Sequence, residues 1–178
     1  MDVDVDVDVD VKEMTMSSIP ELTLEKAVDF AVQTERLGQE MYSALASRFE
    51  DDSELRELFT TLAADEEHHA DHFAGLRKRL GGKQLDPEEQ QYLRAASLSD
   101  IFADWSLSEA PEMITTREDA LQKAFNLEKT TLGYYQALQE IIPDELLEEM
   151  VAEEKRHLVK VMKYMVTGAK VRGLGDKF

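Results

Sequence analysis

Glu66 and His69 stand three positions apart in this chain, and Glu154 and His157 repeat that spacing. On a helix, Glu-x-x-His puts a carboxylate and an imidazole on adjacent turns of one face, where both can reach one centre. One such tetrad arises often by chance. Here each copy is joined by a further glutamate on an apolar helical face, Glu35 or Glu128. Oxygen and nitrogen donors of this kind suit divalent transition metals. Four carboxylates and two neutral imidazoles carry a charge that two divalent cations would balance. Core glutamates satisfied by Arg or Lys are the alternative, yet no basic residue falls within these apolar stripes. Arg36 and Lys129 each lie one residue away and point off the face.

The helical phase places all six inward. With 100° per residue and His69 at zero, Leu58 and Leu76 lie at about −20°, Leu62 at about +20°, Phe73 at about +40° and Glu66 at about +60°. Glu35 sits among Val28, Ala31, Gly38, Tyr42 and Leu45, and Glu128 among Leu121, Ala124, Thr131, Tyr135 and Leu138. In the last helix Leu146, Met150, Val161 and Tyr164 form the stripe around Glu154 and His157. A glutamate facing a core is costly unless it is paired, protonated or bound to metal.

Four long helices are needed to carry these residues. The first is expected over about Thr23 to Phe49, after Pro20. The second runs from about Ser53 to Leu80 and stops at Gly81-Gly82. The third starts near Thr115, where Thr115 and Glu118 have capping-box spacing, and runs to about Ile141. The fourth starts at Pro143, which is acceptable at a first helical position, and ends near Gly168. Short turns make each consecutive pair an antiparallel hairpin. Residues 81–114 form a long crossover, with one short helix from Asp86-Pro87 to about Ala96 and a second around Asp100 to Trp105. The expected fold is all-α: a ferritin-like four-helix bundle of two hairpins joined by that crossover. Residues 1–19 read as a disordered acidic tail containing the alternating Asp-Val run, 20–168 as the bundle and 169–178 as a C-terminal tail.

The hairpins repeat each other. A shift of 93 lays Glu35-Arg36 on Glu128-Lys129 and Tyr42 on Tyr135; a shift of 88 lays Leu58 on Leu146, Glu66 on Glu154 and His69 on His157. Any two amphipathic helices align through Ala and Leu, but that does not preserve polar residues inside apolar stripes.

Composition narrows the chemistry. The 178 residues hold 38 acidic and 20 basic side chains, a net charge of −18, which repels nucleic acid and anionic membranes. There is no cysteine, so disulfides, thiolate catalysis and cysteine-held iron are excluded within these residues. No segment is apolar and long enough to span a bilayer, and the N-terminus lacks a signal-peptide pattern, so a cytoplasmic location is expected.

The sequence resembles the rubrerythrin branch of the ferritin-like superfamily. The resemblance rests on Glu35-Arg-Leu-Gly-Gln-Glu-Met-Tyr42, Leu62-Ala-Ala-Asp-Glu66-Glu-His-His69, Glu128-Lys-Thr-Thr-Leu-Gly-Tyr-Tyr135 and Glu154-Lys-Arg-His157. It implies a two-iron centre, with manganese as the close alternative metal and zinc as a substitute in purified protein. Glu35 and Glu128 would be ligands from the first and third helices, Glu66 and Glu154 bridging carboxylates, and His69 and His157 terminal nitrogen ligands. Two features depart from the family. The four-cysteine rubredoxin domain is missing, and Phe125 stands where the family carries an additional glutamate associated with peroxide reduction. The six-residue set is closer to the symmetric pattern of bacterioferritin-like ferroxidase centres.

Tyr42 and Tyr135 are the candidate catalytic residues, able to hydrogen-bond a ligand carboxylate or relay an electron; simple packing with a satisfied hydroxyl is the alternative. Tyr134, His68, His72 and Trp105 are expected to be structural or at the surface. The implied activity is a non-haem di-iron oxidoreductase in which ferrous iron reacts with peroxide or oxygen. Iron binding or storage without turnover is the other reading. An external electron donor and a homodimer or larger homo-oligomer are the expected partners, with no nucleic acid and no membrane.

Overall fold

The computed structural model describes residues 23–80, 84–97 and 114–175. The Asp-Val tail, Gly81-Gly82, the second short crossover helix and Trp105 lie outside them. The described residues are helical apart from turns and a single isolated bridge between Thr23 and Gln84. The helices are α1 (Leu24–Arg48), α2 (Ser53–Leu80), α3 (Pro87–Ser97), α4 (Arg117–Ile141) and α5 (Glu145–Gly175).

Each helix start has a side-chain acceptor for its free amides, as helix ends require. The Thr23 hydroxyl accepts from Lys26 N at 3.2 Å. Asp52 accepts from Leu55 N at 3.1 Å. Asp86 accepts from Glu88 N and Glu89 N, while Glu89 returns a carboxylate to Asp86 N, a complete capping box. α4 is capped by Thr116, which accepts from Asp119 N, and not by Thr115. Both threonines have an acid three residues on, so spacing alone could not choose between them. α5 begins at Glu145, behind an Asp144 that accepts from Leu146 N, so Pro143 precedes the cap instead of opening the helix. Nor does the helix stop at Gly168; it continues to Gly175. An interior glycine costs a helix only about 1 kcal/mol, which is no obligatory stop. Early in α5 the fully buried leucine is Leu147, with Leu146 half-buried.

α1 packs along α2, α4 along α5, and α3 lies against α4. Two apolar clusters form the core. One gathers Leu24, Val28 and Ala31 of α1, Phe73 and Leu76 of α2, Tyr135 and Leu138 of α4, and Leu147 and Met150 of α5. The other gathers Tyr42 and Leu45, then Leu55, Leu58 and Leu62, then Leu121 and Ala124, and finally Val161. α1 and α5 therefore pass from the first cluster to the second, and α2 and α4 from the second to the first. Between the clusters each of these four helices contributes buried polar side chains. Arg117, at the start of α4, holds Asp52 at 2.6 Å and Glu54 at 3.0 Å, tying α4 to the start of α2.

Candidate metal centre

Glu35, Glu66, His69, Glu128, Glu154 and His157 make up that polar layer, and none is more than 6% exposed. The stripe of apolar residues on either side of each dictates this: the faces that bury Val28 and Tyr42, or Leu62 and Phe73, must also bury what lies between. Three overlapping groups of donor atoms result, each within 4.8 Å: His69, Glu154 and His157; Glu35, Glu66, His69 and Glu154; and Glu66, Glu128, Glu154 and His157. Glu66 and Glu154 belong to both of the four-residue groups. All six residues singled out by spacing are thus brought together.

The donor set fits a metal by one direct observation. Glu35 Oε2, His69 Nδ1, Glu128 Oε2, Glu154 Oε1 and His157 Nδ1 are buried without a hydrogen-bond partner. Buried polar atoms are normally paired. His69 Nδ1 lies 2.9 Å from Glu154 Oε1, yet neither atom makes an aligned hydrogen bond. Five such atoms converging on one layer could each complete a bond to a cation.

The surroundings orient these donors. Tyr42 on α1 donates its hydroxyl to Glu128 Oε1 on α4, and Tyr135 on α4 donates to Glu35 Oε1 on α1. Each tyrosine therefore serves the glutamate of the opposite hairpin rather than the one on its own helix. The histidines are held likewise. His69 Nε2 lies 2.9 Å from Glu153 of α5, and His157 Nε2 lies 3.2 Å from Asp65 of α2. A carboxylate on the outer nitrogen fixes the imidazole and leaves Nδ1 for the centre. The two rings stack with centroids 5.3 Å apart.

Sequence reasoning overlooked Asp65, Glu153 and Thr131. A signal for the first two existed: the shift of 88 that aligns the Glu-x-x-His tetrads also lays Asp65 on Glu153. Thr131 donates to Glu154 Oε2 at 3.1 Å; its spacing put it on the inward face beside Glu128, but a partner on the neighbouring helix was not foreseen. His68 and His72 are exposed on α2. Tyr134 is buried and donates to Ala27 O at 2.7 Å. Phe125 is half-buried against the second apolar cluster and brings no carboxylate to the centre.

Without metal, protons hold this layer together. Burial, then the Glu35 charge, pushes Glu66 well above the usual carboxyl range. Burial also pushes Glu154 up, to about 8, helped by the Glu128 and Glu35 charges. Burial lowers His69, but the neighbouring Glu154 and Glu35 carboxylates outweigh it and hold the ring at about 11. His157 is likewise raised, burial being outweighed by Glu128 and Glu154. Burial raises Glu35 too, yet contacts with Glu66 and His69 bring it below its ordinary value. The Glu66 and Glu154 carboxyls and both imidazoles are thus shifted toward their protonated forms, which lowers the negative charge of the layer.

The profile of the rubrerythrin family matches residues 26–118. This chain belongs to the rubrerythrin family. No curated protein and no solved structure matched it. The matched stretch carries Glu35, Glu66 and His69; the partner residues Glu128, Glu154 and His157 lie beyond it and join the site through the fold. Rubrerythrin membership implies iron binding, and the clustered Glu and His side chains are of the type that could hold it. Unlike the usual rubrerythrin, these 178 residues contain no cysteine and so no rubredoxin domain.

Proposed function

We propose that the six residues hold two iron ions and that the chain is a non-haem di-iron oxidoreductase acting on peroxide or oxygen. The observation that carries this reading is the pair of overlapping four-residue donor groups sharing Glu66 and Glu154, five of whose donor atoms are buried without a hydrogen-bond partner. Glu35 and His69 would complete one position, Glu128 and His157 the other. Two ferrous ions supply two electrons, the number that reduces one peroxide to water. The residues around them supply orientation and protons. Tyr42 and Tyr135, the proposed catalytic side chains, keep their protons because burial, then the Glu128 or Glu35 charge, raises them well above 10. Each hydroxyl proton then sits one hydrogen bond from a terminal ligand. Asp65 and Glu153 would each accept a hydrogen bond from the proton-bearing Nε2 of one histidine, fixing the ring and favouring the tautomer that leaves the Nδ1 lone pair free for the centre.

The same reading includes the ferritin-like order of helices. It is supported by the sequence in which each helix meets the two clusters, which makes α1 antiparallel to α2 and α4 to α5. α2 and α4 then run in parallel, so the chain must return about 40 Å between them, the length of a 28-residue helix. Residues 81–114 would make that return. With no cysteine-held iron in the chain, re-reduction falls to a separate electron donor.

The test is anaerobic loading with ferrous iron followed by peroxide. Two irons per chain and repeated peroxide consumption with an added reductant are expected. A single slow turnover with iron retained would favour storage. Metal uptake unchanged in a Glu35→Ala, Glu128→Ala variant would sink the assignment of the site.

A further inference from the structure

The two halves of the centre repeat each other closely, so a mismatch beside the paired glutamates stands out. The shift of 93 that lays Glu35 on Glu128 also lays Gly38 on Thr131. Both positions are buried, and each faces the bridging glutamate of its own hairpin. Thr131 donates its hydroxyl to Glu154 Oε2 at 3.1 Å. Gly38 has no side chain to offer Glu66, and a Cβ placed there would lie 3.3 Å from both Glu66 Cδ and Oε2. That is tighter than ordinary van der Waals contact, so the carboxyl occupies space that any side chain would take. Gly38 lies mid-helix, where glycine is less favourable than alanine.

We infer that Thr131 and Gly38 make the two bridging carboxylates inequivalent: Thr131 anchors Glu154, while Gly38 leaves Glu66 room to change its position as ligand. The inference rests on the two-metal reading above, and it assigns Thr131 and Gly38 as positioning residues acting through the ligands. A carboxylate with a fixed hydrogen bond keeps one oxygen's orientation whatever the cation does. A carboxylate beside a glycine can swing without meeting a methyl group. The centre would then accommodate a change of metal charge or size mainly through Glu66, with Glu154 as the hinge that stays put.

Thr131 also lies within 3.1 Å of Leu127 O and 3.2 Å of Glu128 O, and its single hydroxyl proton can serve only one acceptor at a time. Of the three acceptors only Glu154 lies on another helix, so that bond alone can position a side chain of α5.

The experiment compares Thr131→Val, Thr131→Ser and Gly38→Ala with the wild type, using cobalt(II) and zinc(II) as probes. Affinity is read by competition with a chromophoric chelator, ligand geometry by the cobalt visible spectrum, and carboxylate mode by infrared difference spectra on adding zinc(II). Thr131→Val, nearly isosteric but without the donor, should lose about tenfold or more in affinity, the usual scale for a hydrogen bond to a charged group. It should also shift a carboxylate band. Thr131→Ser keeps the donor and should restore both. Gly38→Ala should alter the cobalt spectrum by crowding Glu66 while the band assigned to Glu154 stays in place. Melting temperatures of the chelated proteins identify any variant whose change is only in folding; Thr131→Ser and Gly38→Ala remain informative if Thr131→Val is poorly folded. Equal affinities and identical spectra across the series, in a protein that still binds two cobalt ions, overturn the inference alone. A wild type that binds no cobalt overturns the two-metal reading and the inference with it.

Discussion

The metal-free fold should weaken as the solution becomes alkaline, and metal should rescue it most where it is weakest. Glu154 binds its proton up to about 8 when folded, against an ordinary 4.5, and His69 up to about 11 against 6.5. A group raised on folding contributes stability in full below its unfolded value and loses it as pH climbs through the folded one. Both losses overlap between pH 6 and pH 8. Glu35, which is lowered, acts in the opposite sense only around and below 4.5, outside this window. At about 1.4 kcal/mol for each proton and pH unit, the two groups together take about 3–5 kcal/mol from the fold between pH 6 and pH 8. For a chain of this length that is a fall of about 10 °C in melting temperature.

Zinc(II) needs these same protons removed. Its apparent affinity should therefore rise with pH across this window, each expelled proton steepening the dependence. The assay is thermal unfolding followed by circular dichroism at pH 6, 7 and 8, with chelator or with excess zinc. Tm should drop with pH in chelator, and the zinc-induced increase should widen. Glu154→Gln should flatten the chelated profile. A chelated protein whose Tm is level or rises from pH 6 to pH 8 would refute the reasoning, since core glutamates paired with arginine would behave that way.

Three further outcomes follow from the contacts around the centre. Asp65→Asn and Glu153→Gln should each lower zinc affinity about 10- to 100-fold by freeing an imidazole, as measured by chelator competition, while leaving the chelated fold intact. Tyr42→Phe should strand a buried Glu128 oxygen and cost the zinc-loaded protein about 1–3 kcal/mol in denaturant unfolding, with Tyr135→Phe acting equally through Glu35. Arg117→Ala should remove the link between α4 and the start of α2, lowering stability by about 1 kcal/mol without altering metal affinity.

The helices and the six clustered side chains were legible because each sits in an uninterrupted 3.6-residue pattern. Glu66 and His69 had to follow Leu62 and Phe73 inward, and the internal repeat doubled the signal. Helix ends were less legible. Thr115 and Thr116 offer the same capping spacing, and only backbone geometry selects Thr116. Gly168 looked like a stop because glycine favours one, but the helix extends past it. The crossed pairing of tyrosines and acids with ligands of the opposite hairpin depends on how two hairpins dock. No spacing within one helix encodes that. Asp65 and Glu153 point sideways from the stripe, 39% and 41% exposed, and so look like ordinary surface acids until the neighbouring helix is in place.

That crossing bears on how the centre comes to exist. Tyr42 reaches Glu128, Tyr135 reaches Glu35, Asp65 reaches His157 and Glu153 reaches His69. These four contacts join α1 or α2 to α4 or α5, whereas the Thr131 bond to Glu154 stays within the second hairpin. Neither hairpin alone orients all three of its candidate donors, although each contains a glutamate and a Glu-x-x-His. The polar layer also interrupts what would otherwise be a continuous apolar core, so docking the hairpins buries four carboxyls and two imidazoles at a cost that protons or cations must offset. Assembly of the hairpins and assembly of the ligand set are therefore one event. The family likeness, which spans the first hairpin and the crossover, covers only half of the clustered donors; the second hairpin supplies Glu128, which Tyr42 holds, and His157, which Asp65 holds.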